Sequence, residues 1–337
     1  MGGRTPDAQS REPEGPRGLS GPLLSFASRL VEWVRRQRAG RSPQTERLLL
    51  VAALALFAVL TWVAFQNLPE LEQPVRWVPL ILIGAIAAPA MAFLNALEYR
   101  VSGKILGHRI GLASAIRVSV IATAANRLPI PGAVLVRVGA LKRLGSGYGK
   151  ATSSTATVGL AWMGTSFLAA GVLQYPSGRW EIGTALLGAG IGAVALSYAL
   201  MRWHAPPGSA PGLMAELLLI ELGAVLMPTV KFYVALHALG FPVSIAQSAA
   251  LAVSIVVAAS TGFFPGGLGL REAIAAGLSP LVGLPAAVGL LASAVTRVIG
   301  LVAFLLLAAV VLLVFGRETP AEARAEAAVG PPVPHDD

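Results

Sequence analysis

The sequence predicts an all-α, polytopic membrane protein with about seven or eight transmembrane helices and two re-entrant or broken helix hairpins. Of its 337 residues, 55% are hydrophobic and 13% are charged, which is more apolar surface than a soluble fold of this length needs to bury. Several apolar runs reach the roughly 20 residues that cross a bilayer as a helix. Two Pro-Gly breaks lie inside this apolar part of the chain, and they predict the hairpins.

Two segments precede the apolar part. Residues 1–21 are rich in Gly, Pro, Ser and Arg, and they predict a disordered cytoplasmic tail that lacks the apolar run of a cleavable signal. Residues 22–43 predict an amphipathic helix in the headgroup layer and a linker, because apolar residues at helical spacing oppose arginines. A solvated linker is the alternative. The opposed sets are Leu23, Phe26, Leu30, Trp33 and Val34 against Arg29, Arg35, Arg36 and Arg38.

The transmembrane domain is predicted to cover residues 44–316, and a second disordered tail covers 317–337. The last apolar run, 284–315, is too long for one untilted crossing, and we predict that Arg297 and Gly300 mark a break within it. The other runs that are long enough to cross lie at 48–66, 78–98, 152–173, 182–202, 212–235 and 244–262.

The distribution of cations predicts the orientation in the membrane. Cytoplasmic loops carry an excess of Lys and Arg, so the Arg-rich tail before the first run places the N-terminus in the cytoplasm. The later loops then alternate correctly only if residues 112–145 enter the membrane and return to the same side. Because the apolar run 116–125 is too short for a full crossing, we predict a re-entrant hairpin there.

One short pattern occurs twice: Pro-Gly, four small or apolar residues, then Arg. It covers Pro131–Arg137 and Pro265–Arg271, and the preceding run 115–121 is similar to 250–256. A duplicated unit of helix, break and helix explains both copies, although Ala, Val and Ser are common enough in membrane helices for the upstream runs to match by chance. By the same length rule, about four crossings separate the copies, which predicts that both hairpins lie on the cytoplasmic face.

The second copy predicts an anion-binding site. Gly266, Gly267 and Gly269 permit tight backbone turns, and the helix that follows them exposes free N–H groups at its start. With Arg271 in its first turns, such a helix end suits a phosphate or a carboxylate. A close-packing turn between membrane helices, where Gly is common, is the alternative.

Other charged residues also lie in apolar runs. Arg297 needs a partner if it is buried, and we predict that this partner is Glu272; the alternative is that Arg297 extends to the membrane edge. Glu221 and Lys231 are intramembrane charges and predict a role in proton or cation coupling. Glu98 and Arg100, at the end of the second apolar run, are predicted to have an edge role, and a functional role is the alternative.

Several function classes are not supported by the sequence. Cysteine is absent and the four histidines lack metal-ligand spacing. The net charge of +9 comes from Arg and Lys near the predicted membrane edges, which suits topology and contact with anionic lipids rather than nucleic acid. We therefore predict no catalytic residue, no metal, no cofactor and no nucleic-acid partner.

These patterns resemble the lysylphosphatidylglycerol synthase transmembrane-region family, the flippase-like module of bacterial multiple peptide resistance factors. The resemblance is most specific in Pro265–Ala273, which is followed by Arg297 in the next helix, and it extends to the stretch from Asn126 to Leu141. In all it covers residues from about 48 to 315. It implies a role in moving or handling a lipid with a polar headgroup across the bacterial cytoplasmic membrane.

The sequence departs from the family pattern in two places. Residues 132–135 supply none of the charges that the family often shows between the first Pro and Arg, and residues 156–164 lack the acidic and basic cluster that is common in the next helix. We therefore expect a headgroup other than aminoacylated phosphatidylglycerol. We also expect a stand-alone module without the synthase domain, because only a short tail follows Arg317.

The expected function is a lipid flippase or lipid-headgroup transporter in the bilayer. Its ligand is a phospholipid or another lipid with an anionic headgroup, held by Arg137, Arg271 and Arg297 near Asn126 and the glycine-rich break. One alternative is a membrane-embedded transferase acting on a polyprenyl-phosphate or other lipid, with Glu272 or Glu221 as base. Another is a non-transporting membrane partner that recruits a lipid-modifying enzyme.

Overall fold

The computed structural model describes residues 74–125, 132–261 and 267–315, together with four single helical residues between 55 and 66. Regular secondary structure in these ranges is helical throughout, which confirms the all-α prediction. The predicted tails and interfacial helix, and all but four residues of the predicted first crossing, lie outside the described residues. Helices α1 to α9 are, in order, Trp77–Ile105, Leu112–Ala125, Gly132–Arg143, Tyr148–Gln174, Trp180–His204, Ala210–Ala238, Ile245–Thr261, Leu270–Leu281 and Ala286–Phe315.

Five of the described helices are long and apolar enough to cross a bilayer, as expected of a polytopic membrane protein. They are α1, α4, α5, α6 and α9, which contain between 25 and 30 residues. The predicted break at Arg297 and Gly300 is wrong, because α9 continues through both residues. A helix can keep a cation in its interior when a neighbouring helix supplies the counter-charge.

The short helices α2 and α3 form the first hairpin. They contain 14 and 12 residues, and both ends of the pair lie at the same end of the bundle. His108, before α2, lies 2.8 Å from the Ser146 hydroxyl after α3. The Ser154 hydroxyl at the start of α4 donates to the Ser102 carbonyl near the end of α1 at 2.9 Å. The chain therefore leaves α1, makes the hairpin and starts α4 where it left.

The helices α7 and α8 form the second hairpin. The Gln247 amide near the start of α7 donates to the Val282 carbonyl after α8 at 2.9 Å, so this pair also begins and ends together. The predicted crossing at 244–262 is therefore wrong. With 17 residues, α7 is about 25 Å long, shorter than the roughly 30 Å hydrocarbon core, and α8 returns beside it.

Helices α1 and α6 pack against each other and run in opposite directions. The Lys104 ammonium near the end of α1 contacts both carboxylate oxygens of Glu216, near the start of α6, at 2.6 and 2.8 Å. At the other end, the Arg76 N–H donates to the Ala238 carbonyl at 2.9 Å. Because α1 leads into the first hairpin and α6 into the second, the hairpins enter from opposite ends.

This arrangement overturns the prediction that both hairpins lie on the same face. Counting 244–262 as a crossing gave four crossings between the hairpins, whereas only α4, α5 and α6 lie between them. An odd number of crossings reverses the direction of the second copy. The duplicated unit is therefore an inverted repeat, α1–α4 and α6–α9, with α5 between the copies.

The helix contacts follow the same inverted symmetry. Helix α9 packs against α1 and α2, and its counterpart α4 packs against α6 and α7. Each short hairpin thus touches a long helix of the other copy. Helix α5 lies outside this exchange and packs mainly against α4. Each copy also has a buried apolar cluster of its own, and these clusters are centred on Tyr99 in the first copy and Phe232 in the second.

Cations concentrate at one end of the bundle. We call this the cationic end, where α1, α3 and α5 end and α2, α4 and α6 begin. The opposite end carries Arg76 and Arg179 together with Glu181. The residues of the cationic end are Arg100, Lys104, Arg109, Lys142, Arg143, Lys150 and Arg202.

Close packing of α4 and α5 depends on glycine. A Cβ placed on Gly190 would lie 2.9 Å from both the Gly164 carbonyl oxygen and the Leu168 nitrogen, whereas a Cβ on Gly188 would meet no atom within 4 Å. Small residues allow helix backbones to approach in membranes, where packing rather than hydrophobic burial holds helices together. Gly190 therefore sets the α4–α5 distance and Gly188 does not.

We expect Gly190→Ala to destabilise the protein by about 1–3 kcal/mol, because the new methyl group meets backbone atoms that cannot rotate away. Gly188→Ala is the matched control on the same helix, and it should be neutral or slightly stabilising because Ala favours helix more than Gly does. Thermal unfolding of both variants in detergent measures the difference. Equal midpoints would contradict the packing role.

The inverted arrangement predicts opposite accessibility for the ends of the two hairpins. The chain has no cysteine, so a single substitution provides a single thiol. Gly149→Cys lies after the first hairpin and Pro285→Cys lies after the second, and both positions are exposed. A membrane-impermeant maleimide should label these two variants from opposite sides of oriented vesicles. Labelling of both from one side would contradict the inverted repeat.

Candidate functional site

The start of α8 is shaped by two glycines with left-handed backbone. Gly267 and Gly269 have φ values of 66° and 76°, which L residues with side chains rarely adopt. Gly269 is the N-cap of α8, and its N–H donates to the Glu272 carboxylate at 3.0 Å. The break therefore places Arg271 and Glu272 in the first turn of a helix that begins inside the bundle.

Arg297 of α9 forms a buried ion pair with Glu272. Its Nε lies 2.7 Å from Oε1 and its Nη2 lies 3.2 Å from Oε2, and Nη2 also donates to the Gly267 carbonyl at 2.9 Å. The side chains are 7% and 0% exposed. The predicted Arg297–Glu272 contact is thus confirmed, and the alternative of an Arg297 extended to the membrane edge is wrong.

Arg271 contacts two other helices. Its Nη2 donates to the Thr296 hydroxyl on α9 at 2.7 Å, and its guanidinium lies 5.6 Å from the centre of the Phe232 ring on α6, a cation–π distance. Arg271, Glu272 and Arg297 are called the Arg297 cluster below. Two cations and one carboxylate give this buried cluster a formal charge of +1.

A second buried cluster involves the first hairpin. Arg137 of α3 donates to the Glu98 carboxylate of α1 at 3.1 Å. Glu221 of α6 lies within electrostatic range of both. Glu98, Arg137 and Glu221 are called the Glu98 cluster below, and its formal charge is −1 when both carboxylates are ionised. The predicted edge role of Glu98 is wrong, because this residue is 5% exposed and paired.

The two clusters occupy equivalent positions of the inverted repeat. Arg137 follows its partner Glu98 by 39 residues, and Arg271 follows its aromatic neighbour Phe232 by 271 − 232 = 39 residues. The corresponding positions in α1 and α6 thus carry Glu and Phe. This spacing was a signal in the sequence that could have identified Glu98.

The three predicted arginines do not form one group. Arg137 belongs to the Glu98 cluster, whereas Arg271 and Arg297 belong to the other cluster. The two predicted coupling residues are also apart: a Cβ on Gly300 of α9 would lie 3.3 Å from the Lys231 ammonium, and Glu221 lies near Glu98. The predicted residues Asn126 and Gly266 lie outside the described residues.

A cavity opens at the cationic end. It has a volume of about 460 Å³ and is lined by Arg100, Lys104, Arg109 and Ile110. The Arg100 Nε donates to the Ile110 carbonyl at 3.1 Å, and Lys104 pairs with Glu216. The sequence predicts that cations near the membrane edges set topology and contact anionic lipids, and this cavity brings three of them together.

The family described as "Lysylphosphatidylglycerol synthase TM region" matches residues 49–309 of the chain. The chain belongs to this family. It is therefore a multi-pass membrane protein linked to lipid handling. Comparison with curated proteins and with solved structures gives no significant match.

The matched region of this lysylphosphatidylglycerol synthase TM family member contains both buried clusters and both hairpins. Within the described part of the chain, no three His, Asp or Glu side chains come together as metal ligands. The two buried clusters each contain an arginine–carboxylate pair in an apolar bundle. Such pairs suit the binding of a charged group.

We expect Glu272→Gln to lower the free energy of unfolding by about 3–5 kcal/mol, because it removes the carboxylate from a buried Arg297. Glu216→Gln is the matched control, because Glu216 also pairs with a cation but both side chains are about 40% exposed, and such pairs contribute about 0–1 kcal/mol. Chemical unfolding in micelles measures both. A similar loss for the two variants would show that burial does not set the strength of the pair.

Proposed function

We propose that the protein is a flippase that moves a lipid with an anionic headgroup across the bacterial cytoplasmic membrane. The observation that carries this proposal is the Arg297 cluster, a net positive group buried at the start of a broken helix. A positive site inside an apolar bundle is favourable only where it meets a negative group. A headgroup phosphate can supply that charge while the acyl chains stay in the bilayer.

The geometry of the Arg297 cluster suits exchange of one anion for another. In the structure, Glu272 accepts both the Arg297 fork and the Gly269 N–H. A phosphate offers the same paired oxygens to a guanidinium and to free helix N–H groups. A headgroup phosphate can therefore take the place of the Glu272 carboxylate at the Arg297 guanidinium and at the Gly269 N–H. Arg271 is the residue before Glu272 in the sequence.

The inverted hairpins support alternating access. Transporters with inverted repeats expose a central site first to one side and then to the other by rocking of one repeat against its counterpart. Here each hairpin packs against a long helix of the opposite repeat, so movement of one hairpin is transmitted to the other half. The two hairpins are therefore the proposed gates.

The excess of positive charge supports an orientation with the cationic end in the cytoplasm. In that orientation α9 ends on the cytoplasmic side. The cavity lined by Arg100, Lys104 and Arg109 then faces the inner leaflet, where anionic headgroups are abundant. It provides a first contact for a headgroup that moves toward the Arg297 cluster.

A transferase is the main alternative, and Glu272 distinguishes the two. A general base must reach the proton that it removes, but both carboxylate oxygens of Glu272 already accept hydrogen bonds. This geometry favours a binding role over a catalytic one. We accordingly propose that the lipid leaves unchanged, without recruitment of a lipid-modifying enzyme.

Proteoliposomes that contain only this protein test the proposal. A fluorescent phospholipid with an anionic headgroup should become accessible to a membrane-impermeant quencher faster than in empty vesicles. Arg271→Ala should slow this translocation at least about tenfold, because a charge-assisted hydrogen bond contributes about 1.5–3 kcal/mol. Arg202→Ala, which removes an exposed cation at the end of α5, should leave the rate unchanged.

Three outcomes would contradict the proposal. Wild-type protein that translocates no faster than empty vesicles would exclude flippase activity for that lipid, and an Arg271→Ala rate equal to wild type would exclude the site. A covalently altered lipid found by mass spectrometry would favour the transferase. Arg271→Lys keeps the charge but loses the planar fork, so its intermediate rate would separate charge from geometry.

A further inference from the structure

Glu221 is a buried carboxylate that no contact in the structure explains. Its side chain is 0% exposed, and neither of its carboxylate oxygens has a hydrogen-bond partner among the described residues. An isolated ionised carboxylate in an apolar interior is strongly unfavourable, and such groups bind a partner or become neutral. Glu221 is the member of the Glu98 cluster that lies on α6, which packs against α1 of the other repeat.

The charges of this cluster do not balance. Arg137 carries one positive charge and already pairs with Glu98 at 3.1 Å. If Glu98 and Glu221 are both ionised, one negative charge is left in the bundle without compensation. One added positive charge restores neutrality. We propose that the Glu98 cluster is a proton-binding site in which Glu221 carries one exchangeable proton.

Within the described ranges, the charged groups that act on Glu221 are Glu98 and Arg137. The clusters that pack α6 against α4 and α5 near this position consist of apolar side chains, with Tyr198 at their edge. Lys104 pairs with Glu216 closer to the cationic end. The titratable or charged groups on the surrounding elements are Glu98 and Tyr99 on α1, Arg137 on α3, Tyr198 on α5, and Lys231 and Arg297 toward the opposite end.

A proton suits this site better than a metal ion. Calcium and magnesium need about six or more oxygen ligands, whereas the cluster provides two carboxylates. The Arg137 guanidinium, which pairs with Glu98 and lies within electrostatic range of Glu221, repels a second cation. A proton needs one carboxylate oxygen and no further ligand. The net charge of the cluster and its small number of oxygen ligands therefore both favour a proton.

The position of the cluster provides a means of coupling, and this step rests on the proposed flippase function. Arg137 belongs to the first hairpin, while Glu98 and Glu221 belong to the two long helices α1 and α6 that it faces. If the hairpin moves Arg137 from Glu98 toward Glu221, the Glu221 carboxyl group releases its proton and pairs with the guanidinium as a carboxylate. Glu98 then takes up a proton in its place. Hairpin movement and proton exchange are thus linked.

Infrared spectroscopy of the purified protein in lipid tests the proton site without any transport. Wild-type protein at neutral pH should show the carbonyl stretch of a protonated carboxyl group in a dry environment. Glu221→Gln should remove this band, and Glu216→Gln, a half-exposed carboxylate five residues away, should retain it. Persistence of the band in Glu221→Gln would overturn the proposal, as would its absence from the wild type or its appearance only when sodium is removed.

A second variant gives an independent result if Glu221→Gln fails to fold. Glu98→Gln removes the carboxylate that competes for Arg137, so Glu221 should then ionise and pair with Arg137. The expected result is loss of the same infrared band although Glu221 is intact. A band of unchanged intensity in Glu98→Gln would overturn the single-proton assignment.

Proteoliposomes with an imposed pH gradient test the coupling. The gradient should change the wild-type translocation rate by at least threefold, and Glu221→Gln should lose this dependence. Arg271→Ala should lose translocation with or without the gradient, which separates failure of the coupling from failure of the headgroup site. A Glu221→Gln variant that keeps the wild-type gradient dependence would overturn the coupling. If wild-type protein translocates no lipid, the flippase proposal fails while the infrared result still decides the proton site.

Discussion

The constraint behind this structure is that charge and free backbone groups inside an apolar bundle must be satisfied within the protein. The Arg297–Glu272 pair satisfies this constraint both for the buried charges and for the backbone groups. Arg297 neutralises the Glu272 carboxylate and also binds the Gly267 carbonyl, while Glu272 accepts the Gly269 N–H. One ion pair therefore closes the broken end of α8 against α9. These polar contacts, and not hydrophobic packing alone, hold the start of α8 against α9.

The inverted repeat places two different chemistries at equivalent positions. Where α6 presents Phe232 to Arg271, α1 presents Glu98 to Arg137. The Phe232 ring adds no formal charge to its cluster, whereas the Glu98 carboxylate adds one negative charge. The same fold unit thus yields one cluster with an excess of positive charge and one with an excess of negative charge. A single protein can in this way attract an anionic ligand at one cluster and a proton at the other.

Sequence reasoning succeeded where the signal was local. The apolar runs, the first hairpin and the Arg297–Glu272 contact follow from hydropathy, helix length and the need to pair a buried cation. It failed where the position of a segment depends on the helices that pack against it. Helix α7 has the composition of a crossing, and only the return of α8 shows that it is one arm of a hairpin. Glu98 lies near the end of α1, where exposure is the simpler expectation, yet it is buried and pairs with Arg137 of α3.

Helix α5 has a role that its position outside the repeat does not suggest. Each copy of the repeat contains two full crossings and one hairpin, so a tandem duplication of that unit alone would give two copies with the same orientation. Because α5 adds one crossing, the number of crossings between the two hairpins becomes odd and the second copy is reversed. In a chain without α5, the two hairpins would enter from the same side. One linking helix thus determines whether the duplicated unit can serve two sides of a membrane.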